Sequence, residues 1–554
     1  MSEPGATVGD LVAAFLERCD VTTAFGVISI HNMPILDAFH RRGKIRFVPA
    51  RGEAGATAMA DAVARVSGGL GVVVTSTGTA AGNAAGAMIE AYTAGTPLLH
   101  LTTQIDSPFL DRNFGYLHEA PAQLQMLKTI SKTAFRIATP EEALPVLRQA
   151  VRIALSAPRG PVSVEIPVDV QQAAFPLPAD LQPEPVPALV PNAAALDRLA
   201  EKLLRAQRPF LWLGGGARDA TAGARRLADR GIGIVSSTAG RGVVAEDHPS
   251  SLAAFCAAAA VEKLYATADL MVVIGSHLRS NETKTYTLKL PSTIIRVDAD
   301  PAARGRAYAE SEFILADAAL LLDGLAARLE GQKLNLDPDF AAAIAAARRA
   351  ADAGLRQQAG DYAALIDALD RALPQDGLWV RDITLSNSIW GNRAPTIRRP
   401  RSTIHAMGGG IGMGLPMAIG ASLGAPGRKV VALTGDGGFA LNLGELATAA
   451  ETKADLAIIL MNDGGYGVIR NIQDHEYGSR RCYTELQAPS FALMAQSLGM
   501  PHRLVRDLAD IPAALSAAIA MPGPAIVEID MESAGKFGIK FGGFPPPPGA
   551  QPRP

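Results

Sequence analysis

Two carboxylates pose the first chemical question. An apolar run at residues 429–434 ends in Gly435-Asp436-Gly437-Gly438, and a second run at 456–461 ends in Asn462-Asp463-Gly464-Gly465-Tyr466-Gly467. If both runs are strands of one parallel sheet, their carboxyl ends share an edge, and Asp436 and Asp463, 27 residues apart, can converge there on one ligand. Mg²⁺ takes hard oxygen ligands, commonly one or two carboxylates together with phosphate oxygens. Glycines beside it let backbone N–H groups approach a phosphate. A lone Gly-Asp-Gly is more often an ordinary strand-to-helix turn. The paired spacing, with a second centre upstream, turns the reading toward a metal-bound diphosphate.

Elements able to hold such a site run the length of the chain. At 554 residues it exceeds a single core, so about three domains are expected. Hydrophobic residues make up 48% and charged residues 19%, the balance of a well-buried α/β protein with close helix-to-sheet packing. Apolar β-rich runs (45–48, 70–75, 97–101, 162–166) alternate with Ala-rich helical stretches (54–66, 82–94), which implies a parallel sheet. A Pro-rich connector follows, so the first domain is read as 1–178. A second α/β segment spans 192–332, with a helix over 193–206 and strands at 270–274 and 293–297. Its Gly214-Gly215-Gly216 could cradle a nucleotide, though a tight turn is the plainer reading. The third segment is read as 360–532, and 533–554 as a Pro/Gly-rich tail lying on the surface or disordered.

Composition also limits the partners. Fifty-two basic and 54 acidic residues leave a net charge of -2, without the basic run that nucleic-acid binding requires. Cys19, Cys256 and Cys482 form no metal pattern and suggest a reducing compartment. With no leader pattern and no uninterrupted apolar span, a cytoplasmic protein without membrane association is expected.

The second centre lies at Arg51-Gly52-Glu53, followed by the small-residue stretch Ala54-Gly55-Ala56-Thr57-Ala58. Taken with the two C-terminal motifs, it resembles the fingerprint of thiamine-diphosphate-dependent enzymes, in the branch of acetolactate synthase, benzoylformate decarboxylase and benzaldehyde lyase. Supporting motifs follow in order: Phe25-Gly26-Val27, Thr75-Ser76-Thr77-Gly78 through Asn83, and Pro158-Arg159-Gly160-Pro161. The resemblance implies three doubly wound parallel-sheet domains: pyrimidine-binding, central and diphosphate-binding. It implies thiamine diphosphate and Mg²⁺ as cofactors, with FAD possible but not expected.

Residue by residue, the resemblance makes Glu53 the group that bonds the aminopyrimidine and promotes loss of the thiazolium proton. It makes Ile411, in Gly408-Gly409-Gly410-Ile411-Gly412, the apolar prop that bends the cofactor, with Gly410 beside it. Asp436, Asp463 and the Gly465 carbonyl become the metal set. Ser76, Asn83, Thr384, Ser386, Gly435, Gly437, Gly438, Tyr466, Gly467 and Ile469 complete the expected cofactor surroundings. Most relatives carry Asn where this chain has Asp463, which is competent but adds a negative charge. Gly52 stands where a His is often found.

Reaction type depends on the groups above the thiazolium. Ile469 stands where some simple decarboxylases carry Glu, and it has no proton to give, which favours joining the acyl anion of a 2-oxo acid to a second carbonyl compound. His31 and His118 are the expected acid-base groups, because imidazole exchanges a proton near neutrality; His277 and His405 are weaker candidates. Alternatives are a plain 2-oxo acid decarboxylase, an acyltransferase, or, in another class, an FAD- or NAD-binding protein using Gly214-Gly215-Gly216. In relatives the cofactor spans two chains, so a homodimer or homotetramer is expected, and the resemblance to acetolactate synthases implies residues 537–544 as a segment closing over the site.

Overall fold

A computed structural model of the chain describes residues 5–543. Strands and helices alternate into three sheets. The first comprises β1 (Thr23–Gly26), β2 (Arg46–Pro49), β3 (Gly71–Thr75), β4 (Leu98–Gln104), β5 (Thr133–Arg136) and β6 (Val162–Pro167), in spatial order 2-1-3-4-6-5. The second comprises β7 (Pro209–Leu213), β8 (Gly233–Ser236), β9 (Leu270–Ile274), β10 (Ile294–Asp298) and β11 (Glu312–Leu315), in order 11-10-9-7-8. The third comprises β12 (Leu378–Arg381), β13 (Thr403–His405), β14 (Val430–Gly435), β15 (Leu456–Asn462), β16 (His502–Val505) and β17 (Ala525–Asp530), in order 13-12-14-15-17-16. Neighbouring strands within each sheet pair in parallel.

Counted within each sheet, the first and third have the same strand order. In both, the order reverses beside the first strand, and ligands of open parallel sheets sit at the carboxyl ends of such a switch point. β3, β4 and β6 are buried at every position, the signature of parallel strands covered on both faces.

These two sheets are joined by helix-on-helix packing. The helix Glu53–Ser67 lies against Gly414–Gly424, and small residues allow the close approach. A methyl group at Gly420 would come 2.2 Å from the Met59 carbonyl oxygen. Gly214-Gly215-Gly216 serves the same end: Gly214 N–H donates to the Ile274 carbonyl, and a methyl group there would strike the Gly275 carbonyl. Tight backbone packing accounts for these glycines without a nucleotide.

Two further regions are placed by their contacts. The helix Phe340–Ala359, left between the second and third segments, packs between them, against Ala259–Tyr265 and Asn387–Gly391, with the Phe340 ring edge-on to Phe210 at 5.2 Å. The early tail is docked rather than loose: Lys536 N–H donates to Asp361, Gly538 N–H donates to the Gln358 carbonyl, and Phe537 meets Tyr362. Gly542 then reaches His475, on the helix that carries Ile469. The tail from residue 544 onward lies outside the described residues. Among the described residues, no helix is long and apolar enough to cross a membrane.

Candidate active site

The third sheet assembles the predicted metal group. β14 and β15 run in register with Gly435 opposite Met461, so the residues just past each strand emerge side by side. Asp436 opens the helix Asp436–Leu441 and is only 2% exposed. Asp463 N–H donates to Asp436 Oδ1 at 3.2 Å, while Asp436 Oδ2 is buried without a protein partner. Gly465, at φ 147°, turns its carbonyl toward Gly437, and the Thr484 carbonyl occupies the space a side chain would need. Burial and the neighbouring Asp436 charge push the Asp463 carboxyl up to about 7, with Arg470 opposing. Two crowded carboxylates and a backbone carbonyl form an all-oxygen set suited to a small divalent cation. Among the described residues, no three His, Cys, Asp or Glu side chains gather as a metal cluster.

Around this group lie the expected phosphate contacts. Thr384 packs against Gly435, and its hydroxyl accepts the Asn387 N–H at 2.9 Å. Ser386 Oγ and Asn387 Oδ1 are buried without partners, as suits atoms awaiting a ligand. Tyr466 lies against Gly437, and the Asp463 carboxylate rests on Gly467. Ile469 follows on the first turn of Gly467–Glu476, 48% exposed.

Ile411 is 38% exposed and approaches Gly438, which places the expected prop beside the diphosphate motif. Its loop is held by a residue the sequence reading missed. Asp382, fully buried at the end of β12, accepts N–H groups from Gly412 and Gly414, each at 3.0 Å. Burial pushes its carboxyl up to about 6.

The first sheet assembles a second group. Glu53 starts its helix half-buried, and Asn83 Nδ2 donates to its Oε2 at 3.1 Å, so two predicted residues meet directly. His31 is buried beside Ser76, Nδ1 to Oγ 3.4 Å, and its ring meets that of His118 edge-on at 5.0 Å. Burial, then the His118 charge, lowers the His31 pKa, with Asp106 opposing. Gln123, also missed, has its side-chain oxygen 2.7 Å from the Gly78 N–H and 3.0 Å from the Thr77 hydroxyl, and so fixes the turn after Ser76. A glutamine opening the mixed polar and apolar helix Gln123–Ile130 gives little local sign of such a role.

His277 and His405 belong elsewhere. Both are desolvated among arginines, His277 beside Arg306 and Arg279 and His405 beside Arg381 and Arg65, and their pKa values are lowered accordingly. Among the described residues, no hydrogen bond or ion pair links Glu53, Asn83, His31 or His118 to Asp436, Asp463 or Ile411. The two groups are held by different sheets, Glu53 and His31 by the first and Asp436 and Asp463 by the third.

Comparison with known proteins follows from this arrangement. Three family profiles match: thiamine pyrophosphate enzyme, N-terminal TPP binding domain, over residues 6–126; the central domain over 196–325; and the C-terminal TPP binding domain over 386–529. The probable 2-ketoarginine decarboxylase of Pseudomonas aeruginosa is 33% identical over 534 residues, covering 94% of each chain. The acetolactate synthase isozyme 1 large subunit of Escherichia coli is 29% identical over 553 residues, covering 96% of this chain and 95% of the relative. The chloroplastic acetolactate synthase 1 of Nicotiana tabacum is 28% identical over 550 residues, covering 94% of this chain and 81% of the relative.

Proposed function

The chain belongs to the thiamine pyrophosphate enzyme family, in the group of acetolactate synthases and 2-oxo acid decarboxylases, and on that premise we propose that it is a magnesium-dependent carboligase, decarboxylating a 2-oxo acid and joining the acyl unit to a second carbonyl compound. When bound, thiamine diphosphate supplies a carbon nucleophile for the 2-oxo carbonyl and a sink for the electron pair left by CO₂. In this reading Asp436, Asp463 and the Gly465 carbonyl hold magnesium, and Thr384 and Ser386 receive the diphosphate. The unpartnered oxygens of Asp436 and Ser386 support that fit.

Glu53 exchanges a proton with the pyrimidine ring, its carboxylate oriented by Asn83. Ile411 would prop the bound cofactor in its bent form. Because Glu53 and Asp436 are held by different sheets, each cofactor is read as lying between two half-sites, one with Glu53 of one protomer and the other with Asp436 of its partner. The active unit is then at least a homodimer, and a homotetramer is the expected assembly.

The observation that carries the carboligase reading is Ile469, an aliphatic side chain half-exposed on the first turn beyond the metal group, with no proton to deliver. A second reading, protonation of the acyl unit to an aldehyde, is favoured by the His31–His118 pair and by the similarity to a named decarboxylase. Product analysis separates them. Purified enzyme with thiamine diphosphate and Mg²⁺ is given pyruvate or 2-ketoarginine, with and without an aldehyde acceptor. Carboligation predicts a hydroxyketone or hydroxy-oxo acid and little free aldehyde. Stoichiometric aldehyde in the presence of acceptor would establish the decarboxylase instead.

A further inference from the structure

The loop between β13 and the helix Gly414–Gly424 is tied to the protein through alternate backbone N–H groups. Asp382 takes the N–H of Gly412 and Gly414. The N–H of Gly408 lies 2.8 and 2.9 Å from the two carboxylate oxygens of Glu90, and that of Gly410 lies 3.3 Å from Glu90 Oε2. Ile411 stands between the two clamps. Glu90 comes from the other half of the molecule, on the helix Thr79–Ala94 that also carries Asn83. It is 3% exposed, with Arg65 Nη2 at 3.9 Å. Arg65 is itself paired to Asp61 and donates to the His405 carbonyl, just before the loop.

The physical requirement is clear from the backbone. Gly409 and Gly412 have φ of 88° and 84°, so the loop has no regular ladder of its own, and its N–H groups need outside acceptors. A buried carboxylate accepting several backbone N–H groups is a strong, geometrically specific tie. Burying an acidic side chain is costly without such partners. A methyl group at Gly408 would lie 2.9 Å from Glu90 Oε2, so loop and carboxylate are in full contact.

We propose that Glu90 is a positioning residue for the cofactor-binding loop, setting the height of Ile411 from the first domain of the same chain. This rests on the thiamine-diphosphate reading above. It also means that the helix presenting Asn83 to Glu53 in one half-site restrains Ile411 in the other, so each chain ties together the two half-sites it contributes to different cofactors.

Calorimetry on apo-protein tests the role. Glu90→Gln keeps the size of the side chain but presents an amide N–H toward backbone donors. It is expected to weaken thiamine diphosphate binding with Mg²⁺ about tenfold, while inorganic pyrophosphate with Mg²⁺, which needs only the metal end, binds as in wild type. In an Ile411→Ala background the same change should cost under about twofold, because the two residues act as one unit. Unchanged thiamine diphosphate affinity, equal weakening of both ligands, or fully additive losses would each overturn the role. If Glu90→Gln does not fold, Glu90→Asp, which keeps the charge beside Arg65 but shortens its reach, must show the same selective loss or the role fails. Wild-type protein that binds pyrophosphate but not thiamine diphosphate would remove the proposed function itself, whereas wild-type binding with an unaffected Glu90→Gln removes only this inference.

Discussion

Arg470 reaches back seven residues to Asp463, its Nη2 2.9 Å from the backbone carbonyl and 3.7 Å from the carboxylate. If Asp463 holds the metal as proposed, its carboxylate adds a negative charge facing the diphosphate. The guanidinium offsets it. Both side chains are partly solvent-exposed, which limits the effect. Arg470→Gln is expected to weaken thiamine diphosphate binding by roughly threefold to tenfold at saturating Mg²⁺. In an Asp463→Asn background the same substitution should cost less than about twofold. Equal losses in the two backgrounds, measured by calorimetry, would show that Arg470 does not compensate the charge.

Glu53 and Asn83 yield a sharper expectation. Removing a positioned acid-base group typically costs about 10²–10⁴ in rate. Glu53→Gln should lower turnover by that order while leaving cofactor affinity within about threefold, because magnesium and the diphosphate supply most of the binding. Asn83→Ala leaves the carboxylate in place and should reduce turnover by only about tenfold. Steady-state rates beside calorimetric affinities separate the effects, and unchanged turnover in Glu53→Gln would refute its activating role.

His100 should impose an acid limit on stability. It is fully buried on β4, with Nε2 2.8 Å from Thr75 Oγ1 and Nδ1 3.2 Å from Ser163 Oγ, and burial pushes its pKa down to about 4. Between pH 6.5 and about 4 the unfolded chain binds the proton and the folded chain does not. Its stabilising contribution is therefore complete above pH 6.5 and is lost as pH falls toward 4, by about 3 kcal/mol in all. Melting temperatures across that range should fall more steeply for wild type than for His100→Gln. Parallel curves would contradict the assignment.

Much of the architecture was legible because parallel α/β folding writes itself into local pattern. Apolar runs of four to six residues became strands mostly within a residue or two of their expected ends, as with the run 456–461 and β15, while the run 97–101 continues three residues further as β4. That Asp436 and Asp463 meet was foreseeable for the same reason, since each stands directly after a strand of one sheet. Glu90, Asp382 and Gln123 were not. Each acts on backbone N–H groups of a segment at least 30 residues away, and no periodicity or motif spacing records such a tertiary contact. The placement of the helix Phe340–Ala359 was not legible for a related reason: its Ala-rich composition suits either neighbour, and it packs between them, against Ala259–Tyr265 of the second segment and Asn387–Gly391 of the third.

His31 and His118 offer the last test, because their contact can be read through both pH dependence and product. The His31 pKa is lowered from 6.5, mainly by burial and then by the His118 charge against the pull of Asp106, so at neutral pH the imidazole is uncharged. A neutral imidazole can accept a proton from, or share one with, the substrate side of the site beside Ser76. If that form is required, kcat/KM should fall with acid only below pH 6.5. His31→Gln should flatten this limb at a rate lower by about 10²-fold or more. His118→Gln removes the like charge, so the limb should move upward toward pH 6.5 while the ratio of aldehyde to ligated product changes. A limb that stays put in both variants would place the controlling proton on another group.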